Sequence, residues 1–250
     1  MIYKKMKKNN VLAIACALLL GGSLAPLCAQ ESGDWSMTVG SDAVSSYLWR
    51  GMKLAGPSIQ PSAYFDYEKG DWAVSMGAWS SKSFVKGDYN ELDLSVEATW
   101  RNITLSLMNY REFYGSEFGG SYFDLGLSFT MSEAIPVTFS WSSVFLPADG
   151  LMDGGSGYDW QSAFPSYFEV AYDFSLSVVD FTVAAGLLPF ASDYYGNDDF
   201  GPCNLNVVAG HEFELKHGGS LPVSAQVMYN PMWNECFWGV SVGYYFSIDL

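Results

Sequence analysis

An alternation with a period of two residues is the feature that most constrains this chain. Between Glu91 and Trp100, apolar residues (Leu92, Leu94, Val96, Ala98, Trp100) alternate with polar or acidic ones (Glu91, Asp93, Ser95, Glu97, Thr99). Successive side chains of a β-strand point to opposite faces of the strand. The segment is therefore predicted to be a strand with one apolar face and one face that carries three carboxylates.

The same alternation, bounded by Gly, Pro, Asn, Asp and Ser, predicts about twelve strands along the chain. They lie near 34–50, 58–67, 72–81, 90–100, 103–111, 121–131, 136–146, 166–174, 178–188, 203–214, 222–230 and 237–248. Connections after even-numbered strands are short, whereas several after odd-numbered strands are long, the longest being 147–165 and 189–202. This layout is typical of an outer-membrane barrel with both termini in the periplasm. The predicted fold is an all-β, transmembrane, antiparallel up-and-down β-barrel.

The first 29 residues have the layout of a cleaved secretory signal peptide. Four lysines precede an apolar stretch from Val11 to Leu20, and small or turn-forming residues precede Gln30. The apolar stretch is shorter than the roughly 20 residues that a transmembrane helix requires. The predicted organisation is therefore a signal peptide at 1–29 and a single barrel domain at 30–250, exported to the outer membrane of a Gram-negative bacterium.

The exported chain is predicted to be strongly acidic yet rich in apolar residues. Removal of 1–29 leaves 8 of the 12 basic residues against 27 acidic ones. Such a charge disfavours binding to nucleic acid, because phosphates attract Lys and Arg. Disorder is also disfavoured, because 49% of the residues are hydrophobic and 17% are aromatic. An apolar phase that faces lipid and an acidic phase that faces water account for both properties.

Aromatic residues cluster near the predicted strand ends, as in the girdles of membrane barrels. They include Tyr47, Trp49, Trp72, Trp79, Trp100, Trp238 and Tyr244. The last strand keeps its apolar phase to Leu250 and resembles the C-terminal strand that outer-membrane assembly machinery recognises. Outer-membrane lipid and this machinery are the predicted partners. The alternative is a soluble β-sandwich or a lipocalin-like barrel, in which the apolar phase would point inwards.

The inward phase of the predicted barrel carries many more acidic than basic residues. Most of these carboxylates must be solvated, because an unpaired ion in a dry interior costs several kcal/mol. The predicted pore-lining residues are Arg50, Glu91, Asp93, Glu97, Asp124 and Glu169. We expect Arg50 to pair with Glu91 or Asp93 at the outer mouth. The expected function is passive diffusion of small hydrophilic solutes, with a preference for cations and no cofactor. The alternative is a structural or surface-interaction barrel with a blocked lumen.

Cys203 and Cys236 remain after cleavage, and export permits a disulfide between them. Their predicted strands are separated by a third strand, so the loops would have to bend together to bring the Cα atoms within about 7 Å.

A lipid-active enzyme is the third alternative. His211 lies on the apolar phase beside Phe213, as the catalytic His does in outer-membrane phospholipases. The neighbouring apolar phases offer no Ser, and a catalytic triad needs its nucleophile within hydrogen-bond reach. We therefore expect an interfacial role for His211, no enzymatic activity, and no transition-metal site.

The opening of the barrel domain resembles the TorF family of porin-like proteins. The similar segments are Tyr47-Leu48-Trp49-Arg50-Gly51, then 60–67, then 72–80, then Asn90-Glu91-Leu92-Asp93, all within 41–93. The resemblance covers about a fifth of the chain, and its motifs consist of residues common in strands. It implies a porin-like outer-membrane barrel and no particular solute.

Overall fold

The structure is a computed structural model that describes residues 33–148, 164–215 and 219–250. Twelve of its fourteen strands form one closed barrel, and the other two form a separate hairpin. The strands are β1 (Asp34–Val44), β2 (Tyr47–Trp49), β3 (Met52–Ala55), β4 (Ser58–Lys69), β5 (Trp72–Ser83), β6 (Tyr89–Trp100), β7 (Ile103–Tyr114), β8 (Glu117–Ser132), β9 (Ile135–Ala148), β10 (Ser166–Leu176), β11 (Val179–Leu188), β12 (Gly201–Glu214), β13 (Gly219–Asn230) and β14 (Glu235–Asp249).

The barrel wall is antiparallel throughout and closes between its first and last strands. β1 pairs with β4 on one side and with β14 on the other, so that Ser36 lies opposite both Asp66 and Asp249. Every other wall strand pairs with its neighbours in sequence. Closure leaves no sheet edge unpaired. The predicted all-β, antiparallel, twelve-stranded barrel is confirmed.

The two faces of the wall follow the sequence alternation. On the outer face, Leu94 and Val96 of β6 are 41% and 48% exposed, whereas Asp93 and Glu97 on the inner face are 4% and 9% exposed. Phe168 on β10 is also exposed on the outer face. An apolar outer face and an acidic inner face contradict the sandwich and lipocalin alternatives, in which the apolar side chains would fill the interior.

The two rims of the barrel differ in their connections. The rim that holds both Asp34 and Leu250, here called the terminal rim, has the short turns 70–71, 101–102, 133–134 and 177–178. Positive φ angles at Gly70, Arg101 and Ser177 allow three of these tight reversals. The opposite rim, here called the loop rim, carries the longer segments 45–57 and 189–200. The predicted parity of the connections is confirmed for the described residues.

The first predicted strand, 34–50, is wrong in its second half. The wall strand ends at Val44, and bends at Ser45 and Ser46 separate it from β2. β2 then pairs with β3 rather than with the wall. The predicted aromatic girdle is also wrong in part. Trp72, Trp100, Trp238 and Tyr244 are exposed on the outer face, as predicted. Tyr47, Trp49 and Trp79 lie inside, where Tyr47 and Trp79 are in ring contact.

Both cysteines are free, so the proposed disulfide is not formed. Cys203 is an extra residue in β12, because Pro202 and Asn204 pair with adjacent residues of β11. This bulge turns Cys203 inwards, where it is buried, whereas Cys236 is exposed on the outer face. The two thiols therefore lie on opposite faces of the wall.

None of the described residues form a helix long and apolar enough to cross a membrane. The predicted signal peptide and most of the predicted 147–165 loop lie outside the described residues.

Candidate functional site

A short hairpin inside the barrel is the central element of the candidate site. It consists of β2, β3 and the two-residue turn between them, Tyr47–Ala55, and is here called the lumen hairpin. Arg50 and Gly51 form the turn with φ angles of 44° and 90°. Two successive positive φ angles fit the twist of a tight hairpin, and the first is strained for a residue with a side chain. Both turn residues are buried, so the tip of the hairpin lies within the lumen.

The side chain of Arg50 crosses the lumen to β8. Its Nη1 lies 3.0 Å from Oδ2 of Asp124, and the side chains of this ion pair are 4% and 3% exposed. The same nitrogen donates a hydrogen bond of 2.7 Å to the hydroxyl of Tyr195. Tyr110 on β7 donates a further hydrogen bond of 3.0 Å to Asp124. The predicted pairing of Arg50 with Glu91 or Asp93 is therefore wrong, because the hairpin carries the guanidinium past β6.

The environment of Arg50 keeps it charged. Burial alone would lower the pKa of the guanidinium, but the interactions with Tyr195 and Asp124 raise that pKa well above its ordinary value. The guanidinium also lies 4.5 Å from the ring centre of Trp49 and 5.0 Å from that of Tyr167. These aromatic faces add cation–π attraction in a site from which water is largely excluded.

The base of the hairpin is held against β6. The hydroxyl of Tyr47 donates a hydrogen bond of 2.6 Å to Oε2 of Glu91. On the chain that leaves the hairpin, the N–H of Gly56 donates a bond of 3.0 Å to Asp88, just before β6. Burial would raise the pKa of Asp88, but hydrogen bonds from Gly56, Ser83 and Tyr89 hold that pKa below its ordinary value. The acidic end of β6 thus anchors the hairpin on one side.

The tip of the hairpin packs against the opposite wall. The carbonyl of Gly51 accepts a hydrogen bond of 3.1 Å from Nδ2 of Asn230, at the end of β13. A Cβ at position 51 would lie 2.0 Å from the backbone oxygen of Cys203, which belongs to the β12 bulge. Only glycine fits both this contact and the positive φ angle.

We expect Gly51→Ala to release the hairpin from the wall. The added methyl group would collide with rigid backbone, so the hairpin tip must withdraw from β12. Limited trypsin digestion of the folded protein should then cleave after Arg50 and Lys53 faster than in the wild type. Gly70→Ala is the matched control, because Gly70 also has a positive φ angle but a methyl group added there would meet no atom within 4 Å. Equal cleavage of the two variants would contradict the packing described above.

A second segment also enters the lumen from the loop rim. Residues 189–200 connect β11 to β12 and contain a single 3-10 turn, Asp193–Tyr195. Tyr195 is 1% exposed, and its ring stacks on Trp49 with the centroids 5.8 Å apart. Tyr194 packs edge-on against Tyr122 of β8. This segment and the lumen hairpin together occupy the lumen at the loop rim.

Glu169 faces the lumen from β10, four strands away from β6 around the wall. It accepts a hydrogen bond from the hydroxyl of Tyr167, and Nδ2 of Asn204 donates a further bond of 3.1 Å to it. The side chain of Glu169 is therefore engaged by residues of the wall itself. Its partner Tyr167 belongs to a hydrophobic cluster with Leu188, Tyr195 and Cys203, against which Trp49 and Met52 of the hairpin pack.

A cavity lies in the lumen beside Arg50. Its wall is formed mainly by small polar side chains of β7, β8 and β9, together with Glu97 of β6. The lining includes Arg50, Glu97, Thr104, Ser106, Met108, Asp124, Ser128, Ser140, Trp141, Ser142 and Tyr167. The small side chains of β7, β8 and β9 leave room on their side of the lumen. On the other side, the larger side chains of Tyr64 on β4 and Tyr245 on β14 point into the lumen.

The structure thus places all six predicted site residues on the inner side of the barrel but in different roles. Arg50, Glu91 and Asp124 hold the lumen hairpin, Glu169 is bonded to the wall, and Glu97 lines the cavity. Asp93 is buried next to Glu91 on β6. The tyrosines and asparagines that complete the site were not predicted from the sequence: Tyr110, Tyr167, Tyr195, Asn204 and Asn230. The only sequence signal for the hairpin is the turn-forming Arg50-Gly51 pair.

His211 lies on β12 near the terminal rim. Its Nδ1 is 2.6 Å from the carbonyl oxygen of Val178, and its ring packs edge-on against Phe213. These contacts suit the interfacial role predicted for His211, which stays a prediction. Among the described residues, no group of three or more His, Cys, Asp or Glu side chains could hold a metal ion.

No protein-family model matches the chain, and no curated protein matches it. Solved porin structures are similar to it. A KdgM porin matches with a TM-score of 0.42 and 7% identity, covering 85% of this chain and 99% of the porin. A NanC porin matches with a TM-score of 0.46 and 9% identity, covering 84% and 98%. The COG4313 outer membrane channel from Pseudomonas putida F1 matches with a TM-score of 0.43 and 11% identity, covering 90% and 97%. The likeness is too distant to assign this chain to any family.

Proposed function

We propose that this protein is an outer-membrane channel for the passive diffusion of small hydrophilic solutes. The observation that carries the proposal is the division of the closed wall into an apolar outer face and an acidic inner face. An apolar outer face on every side of the barrel suits hydrocarbon, and closure satisfies the backbone hydrogen bonds that lipid cannot. The cavity beside Arg50 leaves part of the lumen unfilled, which supports a passage inside the wall.

The charge of the inner face supports a preference for cations. Among the described residues, eight buried carboxylates accompany one buried basic side chain, Arg50. The carboxylates are those of Asp42, Asp66, Glu91, Asp93, Glu97, Asp124, Glu169 and Asp173. A lumen lined by one sign of charge concentrates the opposite ions and excludes like ones. Small cations and solutes with a cationic group are therefore the favoured cargo.

The orientation follows from the two rims. We place the terminal rim in the periplasm and the loop rim at the cell surface, because short turns face the periplasm in barrels of this kind. The signal peptide would direct export, and the apolar phase of β14 would be the feature that the assembly machinery recognises. The resemblance of 41–93 to the TorF family agrees with a porin-like role and remains a prediction.

Reversal potentials across a planar bilayer test this function. In a salt gradient, the refolded wild-type protein should conduct and should give a potential of the sign for cation selectivity. Glu97→Gln should reduce that potential, because it removes a charge that lines the cavity without changing the size of the side chain. Glu133→Gln, in an exposed turn at the terminal rim, is the matched control and should leave it nearly unchanged. Anion selectivity would contradict the proposed preference.

The lumen hairpin supports a second candidate function, a surface or structural barrel whose lumen is blocked. An ion pair and hydrogen bonds to Glu91 and Asn230 hold the hairpin in place. The hairpin and the adjoining 189–200 segment together occupy the lumen at the loop rim. Conductance separates the two candidates. A wild-type protein that folds and inserts but carries no current would favour the blocked barrel.

A further inference from the structure

We propose that Lys82 and Arg111, at the loop-rim end of the outer face, bind the phosphate of an anionic lipid. Lys82 lies on β5 and Arg111 on β7, with β6 between them, and the surface that the two form is here called the basic patch. The proposal rests on the membrane placement proposed above and adds a specific lipid contact to it. It is carried by the outward phase of the two side chains, by their height on the barrel and by the residues around them.

The two basic side chains interrupt a face that carries no opposite charge. Lys82 follows Met76 in the outward phase of β5, and it is exposed. Arg111 follows Leu107 in the outward phase of β7, and it is also exposed. The outward phases of β5, β6 and β7 contain no Asp or Glu. Among the residues that the structure describes, neither Lys82 nor Arg111 forms an ion pair. The patch can therefore attract an anion although the inner face of the barrel is acidic.

The basic patch lies at the height expected for lipid headgroups. Trp72 and Trp100 are exposed and paired with each other at the terminal rim, where they mark one edge of the apolar band. Lys82 follows Trp72 by ten residues on the same strand. At about 3.4 Å per residue and a strand tilt of about 40°, this separation corresponds to about 26 Å along the barrel axis. Because the apolar band of such barrels is about 25 Å tall, Lys82 reaches the opposite headgroup region.

A hydrogen-bond network on the outer face positions Arg111. Nε of Arg111 donates a hydrogen bond of 3.0 Å to Oδ1 of Asn109. Nδ2 of Asn109 in turn donates bonds of 2.9 Å to Oγ of Ser121 and 3.1 Å to the carbonyl oxygen of Tyr122. This network uses Nε of the guanidinium, so the two terminal nitrogens can form parallel hydrogen bonds to two oxygens of a phosphate.

The two basic side chains are close enough to share one headgroup. Leu92 of β6 pairs with Ser80 on one side and with Arg111 on the other. Arg111 is therefore two strand spacings, or about 10 Å, from Ser80. Lys82 lies two residues beyond Ser80 toward the loop rim, about 7 Å further along the strand. Because both side chains are long, they can converge on a phosphate above Leu92.

Aromatic side chains beside the basic patch favour a lipid over a soluble anion. Phe84 directly follows β5, Phe118 lies at the beginning of β8, and both are exposed. Phe113 of β7 contacts Phe118, with the ring centroids 5.7 Å apart. Apolar rings at the boundary of the headgroups can pack against the acyl chains of the lipid whose phosphate the basic residues bind.

Native mass spectrometry of the refolded full-length protein tests the proposal, with phosphatidic acid and phosphatidylcholine of identical acyl chains as the probes. We expect the wild type to retain phosphatidic acid in preference to phosphatidylcholine. The double variant Lys82→Gln/Arg111→Gln should weaken the binding of phosphatidic acid by about tenfold or more, because each basic residue near an anionic headgroup contributes about fivefold. Circular dichroism checks that each variant retains the folded barrel.

Lys69→Gln/Arg101→Gln is the matched control. It removes two exposed basic residues at the terminal rim, where Arg101 is already paired with Asp71. This variant should bind phosphatidic acid as the wild type does. Weaker binding in the Lys82 and Arg111 variant alone supports the basic patch. A wild type without preference for phosphatidic acid, or an equal loss in the control, would overturn it.

Two further measurements define what the result means. Glycerol 3-phosphate carries the phosphate without acyl chains and should not displace the lipid at equal concentration. Displacement would overturn the lipid as the ligand in favour of a soluble anion. Conductance in bilayers of neutral lipid is measured independently. A conducting barrel without lipid preference therefore refutes the basic patch alone, and a lipid-binding barrel without current refutes the channel alone.

Discussion

Arg50→Ala is expected to raise the single-channel conductance of the barrel several-fold. The substitution removes one partner of a buried ion pair and leaves Asp124 in a site where its side chain is 3% exposed. Stranding a buried charge in this way costs about 3 to 5 kcal/mol. In the variant, this cost destabilises only the state in which the lumen hairpin is docked. In the withdrawn state water reaches Asp124, so its charge is solvated.

A penalty of that size is large enough to change which state dominates. It corresponds to a change of about a hundredfold or more in the ratio of docked to withdrawn hairpin. Arg50 also donates to Tyr195, so the 189–200 segment loses an anchor in the same variant. Both segments that occupy the loop rim would then be free to move out of the lumen, and the bore would widen.

Arg101→Ala provides the control for this experiment. Arg101 also forms an ion pair, with Asp71, but the two side chains are 61% and 56% exposed at the terminal rim. Exposed pairs contribute little, so this variant should conduct like the wild type. Single-channel recording in planar bilayers makes the comparison. If the Arg50 variant folds and its conductance equals that of the wild type, the hairpin does not control the bore.

Val96→Arg is expected to destabilise the barrel in lipid by about 2 to 4 kcal/mol, the cost of a basic side chain in mid-bilayer. Val96 is 48% exposed near the middle of β6, between Leu94 and Ala98 on the outer face. The substitution tests whether this face contacts hydrocarbon. Urea unfolding in phospholipid vesicles, followed by tryptophan fluorescence, measures the loss.

Ser95→Arg is the matched control, one residue away on the opposite face. Its side chain would point into the lumen between Asp93 and Glu97, where a positive charge is attracted rather than repelled. We expect a much smaller loss of stability than for Val96→Arg. A small effect of Val96→Arg in vesicles, equal to that of Ser95→Arg, would mean that the outer face does not meet lipid.

The wall of the barrel was predictable because each of its strands has one apolar face and one polar face. The alternation along Glu91–Trp100 shows which face of its own strand each side chain occupies. That property is local and requires no knowledge of distant strands. The same logic failed at 45–50, where alternation continues but the chain leaves the wall. Because a period of two does not distinguish a wall strand from a hairpin inside the lumen, the pattern wrongly predicts Tyr47 and Trp49 to be part of the outer girdle.

The partners of the candidate site were not predictable for a different reason. Arg50 pairs with Asp124 rather than with Glu91 because of how far the hairpin reaches across the barrel. No local sequence pattern predicts that distance. The orientation of Cys203 depends on a single extra residue in β12, and one such residue moves a side chain to the other face. The alternation predicts which carboxylates lie on the inner face, but whether each one anchors the hairpin or lines the cavity depends on the three-dimensional arrangement.

The anchors of the lumen hairpin also limit when its tip can dock during biogenesis. Arg50 meets partners 74 and 145 residues later in the chain, and Gly51 meets Asn230, 179 residues later. The last of these contacts cannot form until β13 is in place. Any assembly intermediate that lacks β13 therefore lacks the Asn230 anchor of the hairpin tip.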